Sequence, residues 1–313
     1  MSDIAPQIVV IGSHAPGIFV RVKRVPAVGE TVIGWDFQEP EDGGKGSNQA
    51  IAAARLGAEV SFVGCLGTDR LGAEGERLLR KEGVNVHFVR HCFTKGTGTG
   101  VIMLDEKGVP AMVTCMGANE KLSCEQVEES LSELKSAKAM LTQFEILTEV
   151  ALYAAQVARR YNMTTIVNPA PASSISLSEL EVADVLVPNE VEAKALLGED
   201  PQAQIDLELV ARKLFVSTKA GKVIITAGDQ GIIGVDSNGV WRAQSPDVPA
   251  VDTSGAGDVF CAALAVGLAK GLNHRSASVW ACSAAALSVS KKGTIPSFPT
   301  TQEVDGFIKG QVM

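Results

Sequence analysis

The segment Asp252–Asp258 is the part of this sequence best suited to chemistry, because glycines and small side chains stand between two carboxylates (DTSGAGD). A helix-like pattern follows at once from Val259 to Lys270, and Gly271 is its stop signal. Small residues at a helix start leave backbone N–H groups free, and these groups with the helix dipole bind anions. A carboxylate at Asp258 suits such a site if it takes a proton from a hydroxyl that attacks a phosphate. The competing interpretation is a glycine-rich turn with an acidic residue at the helix start.

A second glycine-rich string, Gly43–Gln49 (GGKGSNQ), leads into a helix-like pattern from Lys45 to Leu56. Glycines allow the backbone to approach a ligand, and Lys45 and Asn48 offer donors to hydroxyls or a phosphate. The alternative is a flexible loop that only caps the helix. The string lacks the Ser or Thr that follows Gly-Lys in a P-loop. No G-x-G-x-x-G is present, which counts against a dinucleotide-dependent oxidoreductase.

Two further strings follow apolar strand-like runs. In Pro188–Glu192 (PNEVE), Asn189 and Glu192 have the spacing of a helix capping box, and their oxygens also suit water around Mg²⁺, so both interpretations remain open. Thr226–Gly231 (TAGDQG) is by itself an ordinary turn.

Strand-like and helix-like patterns alternate along the chain and position these strings. The predicted strands are Gln7–Gly12, Val60–Cys65, Ala139–Gln143, Thr165–Asn168, Val185–Pro188 and Val223–Thr226. Further predicted helices are Leu147–Tyr161, Glu190–Leu197 and Leu207–Leu214. The alternation predicts an α/β fold with a doubly wound, mostly parallel sheet flanked by helices, in which ligands bind beyond the carboxyl ends of the strands. Residues 17–40 and 93–115 break the alternation and predict a small second sheet.

The composition excludes several classes of protein. The chain has 313 residues and 32.8 kDa, with 46% hydrophobic and 20% charged residues, which is typical of a globular protein. Its 28 basic and 36 acidic residues give a net charge of −8, which argues against nucleic acid as a partner. The uncharged stretch Ser276–Ser290 is too short and too rich in serine for a membrane span. Six scattered cysteines and the lack of a basic N-terminal region predict a cytoplasmic protein with reduced thiols.

Taken together, GGKGSNQA (residues 43–50) and DTSGAGD (residues 252–258) resemble the two signatures of the ribokinase family of carbohydrate kinases, also called the phosphofructokinase B family. PNEVE, TAGDQG, QFE (residues 143–145) and KKGTIPS (residues 291–297) occur in the order of that family. The resemblance covers nearly the whole chain and is strongest to the ribokinases. It implies ATP-dependent phosphorylation of a sugar-like alcohol, D-ribose or a relative, with Mg²⁺ and K⁺.

The resemblance also implies roles for particular residues. Asp258 is expected to be the general base, and the anion hole is expected at Gly255, Ala256 and Gly257. Substrate contacts are expected at Gly44, Lys45, Gly46, Asn48, Glu145 and Asp258. Nucleotide contacts are expected at Asn189, Thr226, Gly228, Gly231 and Gly257. Asn189 and Glu192 would serve Mg²⁺ indirectly, and K⁺ would bind mostly backbone carbonyls of Asp252, Ser254, Ser288, Lys291, Gly293 and Ser297. The chain would form one domain over residues 1–313, with lid segments at about 14–42 and 93–115 that also make a homodimer.

The chain departs from the family pattern G-S-x-N-x-D after the first strand. Ala15 and Gly17 stand where the Asn and Asp that hold sugar hydroxyls are usual. Alternation along the lid strand suggests that Arg21 or Lys23 selects an anionic substrate, while the plainer interpretation makes both solvated charges. A kinase for a sugar acid, sugar phosphate or nucleoside, and a catalytically silent nucleotide- or sugar-binding regulator, remain as alternatives. On the nucleotide side, Cys282 replaces a polar residue expected near the adenine.

Overall fold

A computed structural model of the chain describes residues 5–38, 42–106, 110–172 and 175–311. Within them, nine strands form one sheet in the order β13-β12-β11-β10-β9-β8-β1-β4-β5. These strands are β1 (Gln7–Ile11), β4 (Glu59–Gly67), β5 (Val89–Cys92), β8 (Ala139–Gln143), β9 (Thr164–Asn168), β10 (Val185–Leu186), β11 (Val223–Thr226), β12 (Ile232–Asp236) and β13 (Gly239–Ala243). All neighbours from β5 to β11 are parallel, and β12 and β13 add an antiparallel edge. The predicted sheet is confirmed.

Helices cover both faces of this sheet, as a doubly wound fold requires. They are α1 (Gly44–Arg55), α2 (Arg70–Lys81), α3 (Cys124–Glu133), α4 (Thr148–Arg160), α5 (Glu190–Leu196), α6 (Leu207–Thr218), α7 (Ala256–Ala269), α8 (His274–Val289) and α9 (Thr301–Gln311). Ile8 and Val10 of β1 pack in one core with α1, α7 and α8, while Val9 and Ile11 pack in a second core with α3, α4 and α6. Because β1 is buried on both faces, its sequence is a continuous apolar run rather than an alternating one.

A separate small sheet has the strand order β3-β2-β6-β7. Its strands are β2 (Gly17–Val22), β3 (Gly34–Gln38), β6 (Thr99–Leu104) and β7 (Pro110–Cys115). The pairs β2–β3 and β6–β7 are antiparallel, and β2 and β6 join them in parallel. The second sheet expected from the broken alternation is therefore present. Residues 39–41 and 107–109 of the predicted lid segments lie outside the described residues.

The helix bounds differ from the sequence pattern at two places that matter for the site. Helix α7 begins at Ala256, three residues before the apolar run, and the residue before it, Gly255, has a left-handed backbone with φ of 75° that favours glycine. The serine-rich stretch near residue 280 is the buried 16-residue helix α8. In the part of the chain that the structure describes, no helix has the length and apolar character needed to cross a bilayer. The six cysteines are free, and the cytoplasmic location stays a prediction.

Candidate active site

The start of α1 packs directly on the loop that follows β1, and glycines make this approach possible. A Cβ on Gly46 would lie 2.4 Å from the Ser13 nitrogen, and a Cβ on Gly44 would lie 2.9 Å from the Ala15 nitrogen. Gly44 also has a φ of 74°, which a residue with a side chain rarely adopts. The lack of side chains at Gly44 and Gly46 thus allows the backbone of α1 to approach the carboxyl end of β1, where a ligand of a parallel sheet is expected.

Asp258, in the first turn of α7, faces the side chains of α1. Its two carboxylate oxygens accept hydrogen bonds from Asn48 Nδ2 at 3.1 Å and from Gln49 Nε2 at 3.0 Å. Burial raises the pKa of Asp258 to about 6, against the opposing effect of the Lys45 charge and these two hydrogen bonds. The carboxylate is therefore a base poised near neutral pH, which is the property that proton abstraction from a hydroxyl needs.

Lys45 and Glu145 lie beside this carboxylate. Glu145 Oε2 accepts hydrogen bonds from the Lys45 backbone nitrogen at 2.9 Å and from Ser13 Oγ at 2.7 Å. Burial would lower the pKa of Lys45, but the charges of Asp258, Glu145 and Glu192 outweigh it and raise the pKa. Lys45 is therefore a cation at neutral pH in a group of carboxylates.

The N-terminus of α7 forms one wall of a small cavity. The cavity has a volume of about 170 Å³ and is lined by Lys45, Asn168, Asn189, Glu192, Thr226, Gly255, Gly257 and Asp258, among others. A Cβ on Gly255 would press on Thr294 and Phe298, whereas the space beside Gly257 is open. The first N–H groups of a helix have no intrahelical acceptor, although that of Ala256 donates to the Thr253 carbonyl at 3.3 Å. An anion in this cavity would meet the helix start at Gly255 and Gly257 and the side chain of Lys45.

A larger cavity of about 660 Å³ adjoins the small one, because Thr226 and Gly257 line both. Gly228 and Gly231 border it after β11, and both have positive φ. Its remaining lining is mostly apolar and includes Phe260, Ala285, Ala286, Val289 and Cys282. Burial raises the pKa of Cys282 to about 12, so the thiol is neutral. A cavity of this volume with a mostly apolar lining suits a flat ring such as a base.

The amino-acid sequence also matches known proteins. The family model of the pfkB family carbohydrate kinases matches residues 23–301. This chain belongs to the pfkB family of carbohydrate kinases. It is 35% identical over 311 residues to a ribokinase of Schizosaccharomyces pombe, with 96% of each chain covered. The crystal structure of a ribokinase from Thermotoga maritima is similar with a TM-score of 0.86 at 31% identity, covering 98% of this chain and 100% of the other. The structure of Arabidopsis thaliana ribokinase complexed with ribose and ATP has a TM-score of 0.86 at 29% identity, covering 98% of this chain and 99% of the other.

Within this pfkB kinase, Asn189 and Glu192 form the capping box of α5. The Glu192 nitrogen donates to Asn189 Oδ1 and the Asn189 nitrogen donates to Glu192 Oε2, both at 2.8 Å. Burial raises the pKa of Glu192, with Lys45 acting in the opposite direction. Among the described residues, no group of three or more His, Cys, Asp or Glu side chains is arranged to hold a metal. One carboxylate and one amide at a cavity suit a Mg²⁺ ion that keeps its waters and binds mainly phosphate.

The residues predicted for K⁺ lie in the loop before α7 and, beginning with Ser288 in the last turn of α8, in the loop that follows α8. Asp252 joins these loops, since its carboxylate accepts hydrogen bonds from the Ser254 and Gly293 nitrogens, both at 3.0 Å. Burial would raise the pKa of Asp252, but these hydrogen bonds outweigh it and lower the pKa. Lys291 pairs its ammonium with Glu303, which leaves only its backbone oxygen for a cation. The buried hydroxyls of Ser288 and Ser297 donate to nearby carbonyls, that of Ala285 within α8 and that of Thr294.

The positions that depart from the family pattern lie beside the start of α1 and at the start of β2. Ala15 is buried against Gly44, and Gly17 opens strand β2. His14 is fully buried, its Nδ1 is 2.8 Å from Ser47 Oγ, and burial lowers its pKa to about 4. His14 is therefore a neutral packing residue.

The two cations considered for anion selection are exposed. Arg21 lies 3.6 Å from Asp36, on strand β3 of the same small sheet. Lys23 follows the end of β2 and is exposed. Neither residue lies among those that line the two cavities described here, which favours the plainer interpretation of solvated charges.

Three residues of the site were not assigned a role from the sequence. Gln49 holds Asp258 from α1, Asn168 accepts from Gln49 Nε2 at 3.3 Å, and Asp42 accepts from Asn48 Nδ2 at 2.7 Å. Gln49 belongs to the string GGKGSNQ, so its place beside Asn48 was the one available signal. Asn168 and Asp42 come close to the base only through the tertiary fold.

Proposed function

We propose that this chain transfers the γ-phosphoryl group of ATP to a hydroxyl of D-ribose or of a closely related neutral sugar. The observation that carries the proposal is the buried carboxylate of Asp258, which two amides hold between the small anion cavity and the start of α1. A protein that only bound a nucleotide or a sugar would have no use for a base with a pKa near 6 at that position.

In the proposed reaction, Asp258 takes the proton of the acceptor hydroxyl as its oxygen attacks the γ-phosphorus. The bond between the γ-phosphorus and the bridging oxygen of ATP breaks, and ADP leaves with that oxygen. Negative charge on the phosphoryl oxygens meets the N–H groups of Gly255, Ala256 and Gly257 and the ammonium of Lys45. Each of these groups lies at the small cavity or at the helix start that lines it.

The sugar is held at the start of α1. Lys45 and Asn48 offer donors, Glu145 offers an acceptor, and the backbone at Gly44 and Gly46 brings the helix start close to the loop after β1. Because Glu145 is itself fixed by Ser13 and by the Lys45 nitrogen, its carboxylate is positioned before substrate binds.

The nucleotide occupies the larger cavity, with Thr226, Gly228 and Gly231 along it and the phosphates directed at Gly257. Asn189 and Glu192 would hold water around Mg²⁺ at the small cavity, and that ion, when bound with ATP, neutralises phosphate charge. The loops joined by Asp252 would hold K⁺ mostly through backbone carbonyls of Asp252, Ser254, Ser288, Lys291, Gly293 and Ser297.

The small sheet is proposed as a lid over the sugar and as the contact of a homodimer. Several large apolar side chains of this sheet and of the loop between β2 and β3 are exposed, which is unusual for a free surface: Val28, Ile33, Trp35, Phe37, Val101, Met112 and Val113. A second copy of the chain would cover them.

The experiment that tests the function measures ADP formation with Mg²⁺ and K⁺ against ribose, 2-deoxyribose, hexoses, sugar acids, sugar phosphates and nucleosides. The proposal expects turnover on a neutral pentose to exceed turnover on every anionic compound. Turnover on a sugar acid or sugar phosphate alone would move the activity to the alternative kinase class. ATP binding without turnover on any compound would support the regulatory alternative.

A further inference from the structure

The loop before α1 contains a carboxylate, Asp42, with one oxygen fixed by the protein. Oδ1 accepts a hydrogen bond from Asn48 Nδ2 at 2.7 Å and one from the Gly44 nitrogen at 3.2 Å. The same Asn48 nitrogen donates to Asp258 Oδ2 at 3.1 Å. One amide group therefore bridges Asp42 and the proposed base, which places the two carboxylates within the span of one small sugar.

The second oxygen of Asp42 points towards Gly17, the residue that opens β2. A Cβ built on Gly17 would lie 3.4 Å from Asp42 Oδ2 and 3.1 Å from Ile102 Cδ1. Gly17 is not among the glycines with positive φ, so its backbone does not require glycine. What glycine provides at position 17 is space beside the carboxylate. Across the described residues, Oδ2 accepts no hydrogen bond, and Asp42 is half-buried, so this oxygen is open to a ligand.

We propose that Asp42 is a specificity-determining residue, whose Oδ2 accepts a hydrogen bond from a second hydroxyl of the sugar that reacts at Asp258. The inference rests on the proposed function and deepens it. The acceptor is then a neutral polyol in which the reacting hydroxyl and a hydroxyl at Asp42 belong to one small ring. Sites that pair a hydroxyl with a fixed polar group discriminate strongly against compounds that lack it.

The charges around the site agree with a neutral acceptor. The Lys45 ammonium interacts with the charges of Asp258, Glu145 and Glu192. Asp42 lies on the other side of the Asn48 amide from Asp258, so carboxylates outnumber cations around the site. Arg21, the cation considered for anion recognition, is engaged with Asp36 on the exposed small sheet. An anionic sugar would meet excess negative charge at Asp42, which opposes binding of a sugar acid or a sugar phosphate.

The first test compares Asp42→Asn with wild type in steady-state turnover on ribose. The amide keeps an oxygen for Asn48 but replaces the open carboxylate oxygen with a donor. Loss of a hydrogen bond to a charged acceptor predicts a rise in KM of about 10- to 100-fold, with a much smaller change in kcat. The matched control is Asp305→Asn, an exposed acid of α9 that lines neither cavity, which should leave both constants unchanged.

Two further experiments distinguish loss of sugar recognition from a general effect of the substitution on folding. One moves the carboxylate to position 17, and the other uses deoxy sugars. Asp42→Ala combined with Gly17→Asp moves the carboxylate across the same gap and should recover part of the ribose KM that Asp42→Ala loses. On 2-deoxyribose or 3-deoxyribose, whichever lacks the contacted hydroxyl, Asp42→Asn and wild type should agree within about twofold. An equal rise in KM on ribose and on both deoxy sugars, or unchanged kinetics on ribose, would overturn the role of Asp42 but leave the proposed function standing. Absence of sugar-dependent turnover in wild type would overturn the proposed function as well.

Discussion

The two walls of the proposed acceptor site are built in opposite ways. The starts of α1 and α7 form a closed wall, where glycine contacts and amide–carboxylate hydrogen bonds fix Asn48, Gln49 and Asp258. The small sheet with the loop before α1 forms an open wall, with exposed strand residues and an open oxygen on Asp42. On the proposed function, the chemical step would depend on the closely packed residues of the closed wall, and the choice of acceptor on a few side chains of the open wall.

An added methyl group in the closed wall should reduce stability and kcat more than a change in the open wall. In Gly46→Ala the new Cβ would meet the Ser13 backbone at 2.4 Å, so α1 must move away from the loop after β1. We expect the free energy of unfolding to fall by about 1–3 kcal/mol. Because a shift of about 1 Å misplaces Asn48 and Asp258, kcat should fall about 100-fold. Thermal unfolding and steady-state kinetics measure the two effects.

The matched control for this change is Gly306→Ala in α9, where a Cβ meets no atom within 4 Å. Alanine in that helix should stabilise the protein by up to about 1 kcal/mol and leave turnover unchanged. Equal kinetics for the two variants would mean that the close packing of α1 has no part in catalysis.

The pH dependence of turnover tests whether Asp258, in the closed wall, acts as the base. A base must be unprotonated, and the pKa of Asp258 is raised from 3.8 to about 6. Activity should therefore be lost as the pH falls through 6, with kcat/KM about tenfold lower per pH unit below it. His14 stays neutral over this range because burial lowers its pKa to about 4. A flat profile between pH 5 and 7, with the fold intact by circular dichroism, would argue against Asp258 as the base.

The open wall should tolerate changes that alter assembly. Phe37→Lys places a charge in the exposed apolar surface of the small sheet, where the side chain is 65% exposed. We expect the proposed dimer to dissociate in analytical ultracentrifugation, with a smaller loss of turnover than in Gly46→Ala. Val216→Lys on α6, at a residue 74% exposed outside this surface, is the control and should leave the mass unchanged. A monomeric wild type, or a variant that remains dimeric, would remove the small sheet from the proposed interface.

Sequence patterns predicted the main sheet well because each parallel strand is a local apolar run, as β1, β8 and β11 illustrate. They missed the edge pair β12–β13, and they missed α8, whose serines hydrogen-bond to its own carbonyls. Local periodicity does not specify which strands pair, and in α8 the serines interrupt the apolar pattern by which a helix is recognised.

The candidate site was predictable only in part for the same reason. Asp258, Lys45 and Asn48 stand in recognisable strings, but the bond from Gln49 to Asp258 joins residues 209 positions apart. Asp42 gave no local signal, since its significance comes from its distance to Gly17 and Asn48. The departures at Ala15 and Gly17 were visible in the sequence, but the carboxylate beside Gly17 became visible only in three dimensions.

The most direct test of the central claim compares wild type and Asp258→Asn in ribose-dependent ADP formation, with ATP binding measured on both proteins. The account predicts that the variant still binds ATP and loses about 10²- to 10⁴-fold in kcat, the range that a general base contributes. A variant that retains kcat within about tenfold of wild type would contradict the assignment of Asp258 as the base and with it the proposed mechanism.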